Sequence, residues 1–413
     1  MKNSNSMTKN VMWNSCGSTF YSMCQWVITI LVVHLTSYEV AGVLALAMSV
    51  SSSFAAISLF SMRNYQVSDI KQQYSNNVYV SSRVITCFLG IIICLGASFF
   101  ISENSSDFLC VNAFMLIRTA EASVDVLHGV NQGYVRYDII GKSYIMRGFV
   151  IVIFFCIGLK LTGDLAITLI VVAVINLVIV YVYDWKQTNQ LGKIVLNIKE
   201  SEIIDLLKKC APIVIFAFLL SAENVIAKKF LQAQYGNEML GIYSSMASPT
   251  LIVQVFASVA FNPFLPGLMK MFWEDNIEEF KKTLVKVVLL LAASGIIITL
   301  GATLLGKFGL VILFKESILT YYSLFIPIVW VTILTAYVWI MSSIVIGLRK
   351  IKLLVIGMII NFLLSTSLVV PIIRYCGPNG ASIVQIISLA IYIIYLLIIC
   401  ATTIKEHRKN QIN

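Results

Sequence analysis

The chain has 413 residues, 59% of them hydrophobic and 12% charged, with a net charge of +10. A water-soluble domain of this length cannot bury that much apolar surface, so the surplus faces lipid and a soluble enzyme is excluded. The positive charge is spread over loops and tails, which excludes nucleic acid as a partner.

Apolar stretches of about twenty residues, the length that crosses a hydrocarbon core roughly 30 Å thick, recur throughout. They predict about twelve spans, near 11–34, 40–60, 78–101, 108–127, 142–161, 164–184, 211–231, 241–265, 283–306, 319–346, 351–373 and 379–402. Runs such as 151–155 and 386–399 are continuously apolar, without the alternation of a β-barrel, so the fold class is an all-α polytopic membrane protein. The first stretch is too long and polar for a signal peptide and has no small-residue cleavage site, so it reads as a retained span. With the N-terminus inside, most Lys and Arg fall on the inner side, leaving Lys160, Lys228, Lys229, Lys307, Lys315 and Arg374 outside. That bias places both termini in the cytoplasm.

On the first span, Ser15, Ser18, Ser22, Gln25 and Thr29 are three and four residues apart, which puts them on one helical face. Such a stripe serves either helix packing or the wall of an aqueous cavity. The fourth span carries Arg118, Glu121 and Asp125, again on one face. Charges at this depth pair before they do anything else, and Arg147 on the fifth span is expected to reach Asp125. The rival reading is a coupling-ion site. Residues 185–210 form a polar, lysine-bearing linker whose amphipathic stretch 202–207 is expected along the cytoplasmic interface.

On the seventh span Glu223 lies near mid-membrane, a costly place for a carboxylate and a candidate proton or cation site. Lys228 continues the polar stripe of Ser221 and Asn224 and could meet a phosphate, whereas Lys229 is expected to snorkel to the headgroups. Pro212, Pro249, Pro263, Pro266, Pro327 and Pro371 would bend or end helices. The nine cysteines and three histidines show no metal-ligand spacing, and there is no phosphate-binding loop, so no metal, cofactor or ATP hydrolysis is expected.

Sliding the sequence over itself by 199 residues brings Ser22 onto Ser221, Gln25 onto Asn224, Thr29 onto Lys228, Glu39 onto Glu238 and Gly42 onto Gly241. This predicts two parallel six-helix lobes, 1–184 and 211–413, joined by the 185–210 linker.

The loop Arg63-Asn64-Tyr65-Gln66-Val67-Ser68-Asp69, followed by Tyr74-Ser75, Tyr79 and Arg83, resembles the R-x-Y-Q-V-S-D…Y-S…Y…R pattern of bacterial polysaccharide flippases. Gly129-Val130-Asn131-Gln132 with Arg136, Ile140, Ser143 and Arg147-Gly148, and Gly241-Ile242-Tyr243, are similar to further stretches of the same proteins. These are the O-antigen and capsule flippases of the multidrug, oligosaccharidyl-lipid and polysaccharide exporter superfamily. The resemblance implies two lobes around a central cavity in the bacterial plasma membrane, with undecaprenyl-pyrophosphate oligosaccharide as cargo. It also implies membrane lipids, a polysaccharide polymerase and chain-length machinery as partners. The family often has aspartate where this chain has Glu223, and a glycine near Lys315, where this chain departs from it. Phosphate engagement by Arg63 and Arg83 competes with plain positive-inside anchoring. A multidrug exporter of the same superfamily and a membrane oligosaccharide polymerase or ligase are the alternatives. The short outer loops speak against the enzyme.

Overall fold

The computed structural model describes residues 2–69, 73–197, 201–261 and 264–412, and among them every regular element is helical. Pro263 and the side chains of Asn64 and Ser68 lie outside the described residues. The chain divides into two compact units, Met1–Val225 and Ile226–Asn413.

The first unit holds α1 (Lys2–Leu35), α2 (Tyr38–Leu59), α3 (Met62–Ser68), α4 (Asn76–Ile101), α5 (Ser105–Gly133), α6 (Tyr137–Thr162) and α7 (Leu165–Ile179). A π-helical turn, Val180–Trp185, then leads into α8 (Lys186–Leu191) and the first part of α9 (Ser201–Ala247). Polar caps decide where helices begin. Ser37, Ser75, Asn104 and Asp164 each accept from the backbone amide three residues on, satisfying a donor the helix leaves open. Gly163, at φ 65°, closes α6 in the left-handed conformation that glycine adopts without strain.

Small residues let the helices of this unit approach closely. A Cβ added to Gly17 would lie 2.5 Å from the Gly141 carbonyl oxygen, and one on Gly141 would lie 2.3 Å from that of Trp13. At this crossing α1 meets α6 backbone to backbone. α5 forms the unit's axis, packed against α2, α4, α6 and α7. Near the α3–α4 loop, Met62, Tyr79, Val126 and Leu127 share an apolar cluster with Ile203 and Leu206. The 202–207 stretch opens α9, and its Ile203 and Leu206 pack into that cluster while Ile204 stays exposed. The preceding strand-like stretch is tied down by Val195 N–H to Asn77 Oδ1 (3.0 Å) and Asn197 N–H to Ser81 Oγ (2.9 Å).

The second unit continues α9 through Gly236, whose φ of 81° interrupts the helix between the expected 211–231 and 241–265 spans. It adds α10 (Leu251–Phe261), α11 (Leu265–Trp273), α12 (Ile277–Leu313), α13 (Phe325–Gly347), α14 (Ile351–Cys376) and α15 (Gly380–Ile412). α13 is the buried member, with Val338, Met341, Ile344 and Val345 fully enclosed. Hydroxyl bonds join its neighbours: Thr250 to Thr332 at 2.7 Å and Tyr243 to Ser382 at 2.8 Å. In a membrane such bonds are worth about 0.6 kcal/mol each. α12 is the opposite case, its Leu290, Leu304, Leu305 and Phe308 bare, as a lipid-facing helix requires.

Among the described residues eight stretches are long and apolar enough to cross a bilayer, and one of them, Ile351–His407, takes in α14 and most of α15. α5 falls outside that set because Arg118, Glu121 and Asp125 interrupt it. Among the described residues the predicted spans coincide with helix, and the fold is all-α with about twelve spanning segments, as expected. Pro212 and Pro371 sit inside α9 and α14, while Pro249 and Pro266 open helical turns.

Replacing Gly141 with Val should force α1 off α6 and cost about 1–3 kcal/mol. Thermal unfolding followed by size-exclusion fluorescence would show a lowered midpoint, whereas Gly301→Ala, with open space around its site, should leave it unchanged.

Candidate functional site

The polar groups of the first unit form three successive clusters, α5 supplying the carboxylates of the first two and α6 the arginine of the third. At the first, the Glu121 carboxylate accepts from the Tyr21 hydroxyl and the Gln25 amide, both at 2.5 Å, and from Arg118 at 2.7 Å. Tyr21 and Gln25 are one turn apart on α1, so a single helix face delivers both donors.

At the second, Asp125 binds two arginines, Arg83 at 2.9 Å and Arg63 at 3.3 Å. Arg83 also donates to the Ser58 carbonyl at 2.6 Å, and Arg63 to Gln132 Oε1 at 3.3 Å. Two guanidiniums on one carboxylate leave an excess positive charge. Arg83 is only 2% exposed, so that excess is poorly screened by solvent.

At the third, Arg147 of α6 donates to Asp184 at 2.7 Å, Asn176 at 3.2 Å and Ser143 at 3.3 Å. The π-helical turn supplies Asp184, which is fully buried. His128 Nε2 lies 3.7 Å from Asp184 Oδ1, beyond hydrogen-bond reach. The Tyr144 ring stands 5.6 Å from Tyr21 and 4.9 Å from His128, so the first and third clusters are joined by aromatic contacts.

Below these clusters lies a cavity of about 660 Å³ between the α3–α4 loop and the end of α5. Asp69 shapes its floor by accepting from the Gln73 and Tyr74 amides (2.8 and 3.0 Å) and the Tyr79 hydroxyl (3.0 Å). Burial alone would raise the Asp69 carboxyl, but these donors outweigh it and hold it below the usual carboxylate range.

The structure brings several of the predicted residues together and leaves others apart. Arg118 and Glu121 pair as expected, and Gln25 joins them. Arg63 and Arg83 converge on Asp125. Arg147 does not: all three of its nitrogens are engaged elsewhere, so its expected link to Asp125 is replaced by Asp184, which the sequence places at the very end of a span. The stripe on α1 divides, because Ser22 is exposed and donates to the Ser18 carbonyl while Thr29 donates to that of Trp26. On α9, Ser221 bonds Ser53 at 3.0 Å, Glu223 is 2% exposed, and Asn224 and Lys228 are half-buried. Lys229 donates to Gln232 on its own helix at 2.9 Å. Tyr21, Asn176, Asp184 and His128 escaped the sequence reading. For Tyr21 a signal exists, its one-turn spacing from Gln25.

No protein-family model matches the chain. It is 22% identical over 314 residues to the capsular polysaccharide biosynthesis protein CapF of Staphylococcus aureus, a match covering 75% of this chain and 78% of CapF. Among solved structures, an inward-facing multidrug resistance transporter of the MATE family, MOP superfamily, superposes with a TM-score of 0.72 at 11% identity, covering 97% of this chain and 99% of that one. A MOP superfamily transporter from Pyrococcus furiosus, described as having a binding pocket of reversed polarity, gives 0.62 at 13% identity over 97% and 96%. The chain shares the fold of these two solved transporters.

Double-mutant cycles on thermal stability should give a coupling above about 1 kcal/mol for Arg147→Met with Asp184→Asn. The cycle of Arg147→Met with Asp125→Asn should stay within about 0.5 kcal/mol of additivity.

Proposed function

We propose that this protein uses the MOP fold as a flippase, carrying pyrophosphate-linked oligosaccharide repeat units across the bacterial plasma membrane by alternating access. The observation that carries this reading is the pair of arginines on Asp125. A lipid pyrophosphate is a compact polyanion, and guanidinium groups bind its oxygens in parallel pairs. Arg63 and Arg83 sit on the elements that hold the polysaccharide-flippase-like loop pattern, with one charge more than Asp125 can neutralise. The similarity to a capsule biosynthesis protein supports a polysaccharide cargo.

In this reading, residues 1–184 and 211–413 act as lobes joined by 185–210, with Ser22, Gln25, Thr29, Ser221 and Asn224 facing the sugar path. Lys228 meets phosphate, and Glu223, Arg118, Glu121, Asp125 and Arg147 serve coupling or structure. The polyprenyl tail stays in lipid, so only the polar head needs a protected route. The protein acts as a transporter, supplying a polymerase and chain-length machinery on the far side. The multidrug resistance transporters that share the fold favour a second reading, export of drug-like molecules.

Deleting the gene should abolish surface polysaccharide and accumulate complete lipid-linked units on the cytoplasmic face, with the intact gene restoring both. Units that reach the outer face and fail only to lengthen would replace this reading with a polymerase. Unchanged polysaccharide with heightened drug sensitivity would replace it with the exporter. Arg63→Gln and Arg83→Gln, at normal expression, should each lower polysaccharide output by about tenfold, one charge-assisted contact's worth.

A further inference from the structure

The third cluster holds a histidine that its hydrogen bonds leave unused. His128 and Asp184 are both fully buried, and among the described residues neither ring nitrogen of His128 has a hydrogen-bond partner. Asp184 gives Arg147 its Oδ2, while its Oδ1 is likewise unpartnered and lies 3.7 Å from His128 Nε2. That separation is less than about 1 Å longer than a hydrogen bond. Charged and titratable groups face the ring from each side: Asp184 from the π-helical turn, Arg147 and Tyr144 from α6, and Arg63 from α3. Asp125 lies one turn back on α5 itself. Tyr144, half-buried, meets the ring edge-on at 4.9 Å and also faces Arg63.

We propose that His128 is a proton-binding site that controls the clamp between Arg147 and Asp184. Neutral imidazole carries one N–H. With that hydrogen on Nδ1, the bare Nε2 and the Asp184 oxygen face each other as two lone pairs and stand apart. A second hydrogen makes Nε2 a charged donor, and the ring closes on Oδ1. Asp184 then faces two cations, as Asp125 faces Arg63 and Arg83. The cluster passes from balanced to one positive charge in excess, where no solvent screens it, and Arg147 loses its sole claim on the π-helical turn. A proton needs no standing cavity to arrive, since brief local openings of the packing around Tyr144 admit it. In a transporter, a site that binds the proton better in one state than in the other makes the balance of states depend on pH. This role is independent of the cargo, so it stands or falls apart from the flippase reading.

The full chain in nanodiscs, labelled with nitrogen-15 histidine, has three histidines to follow by solid-state NMR. The His128 ring signals are those missing from His128→Gln. They should move from the neutral to the protonated positions between about pH 8 and 5. Over the same range, hydrogen exchange of the 180–188 backbone, corrected for the intrinsic pH dependence of amide exchange, should speed up about fivefold as the pH falls. In His128→Gln the corrected exchange should stay constant. His128→Asn serves for both measurements if His128→Gln does not fold. His128 signals that keep one position across the range overturn the site. Corrected exchange that ignores pH in the wild type, or that responds equally in wild type and variant, overturns its control of the clamp.

Discussion

Water is missing from the middle of a bilayer, and the first unit is organised around that constraint. An ion pair at the centre of a helical bundle has only protein to solvate it, so each charge on α5 needs neighbours at hydrogen-bond distance. Glu121 takes them from α1, Asp125 from α3 and α4, and the α6 arginine from α7 and the π-helical turn. These bonds fix which faces of six segments point inward. The apolar residues, interchangeable against lipid, could not do so alone.

The clusters differ in how completely they are neutralised, and this separates structure from function. Arg118 with Glu121, and Arg147 with Asp184, each balance one charge against another. Asp125 faces two cations, and one of its partners, Arg63, lies near a cavity open to the loops. The balanced, fully buried pair of Arg147 and Asp184 is a clamp. An unbalanced one beside an opening is a place where an anion gains by arriving. That asymmetry, rather than the number of charges, is what the proposed anion-binding role of the α3–α4 region rests on.

The spans were legible because crossing a membrane is a local requirement, met residue by residue with apolar side chains. The pairing Arg118–Glu121 was equally legible, being set by one helical turn. Arg147 shows where such reading stops. Its depth could be counted from the start of its span, but depth leaves the direction around the helix axis open, and the helix turns it toward Asp184 instead of Asp125. Asp184 looked like the last residue of a span because a charge closing an apolar run normally marks the water boundary. Only the folded π-helical turn shows it swung inward. Similarly, the amphipathic face of 202–207 announced that it must be covered without saying by what, and Tyr79 and Leu127 cover it.

The π-helical turn has a bearing on how this chain tolerates changes in length. A π turn accommodates one residue more than an α turn over the same rise, so the phase of everything after Ile179 depends on that surplus. Loss of a single residue from α7 ahead of the turn, even an apolar one, would set that phase back by one position. Asp184 would rotate by roughly 100° around the helix. The buried guanidinium of Arg147 would then lose the carboxylate that balances it. In this segment an indel is therefore more damaging than most substitutions, because the spacing itself carries the information.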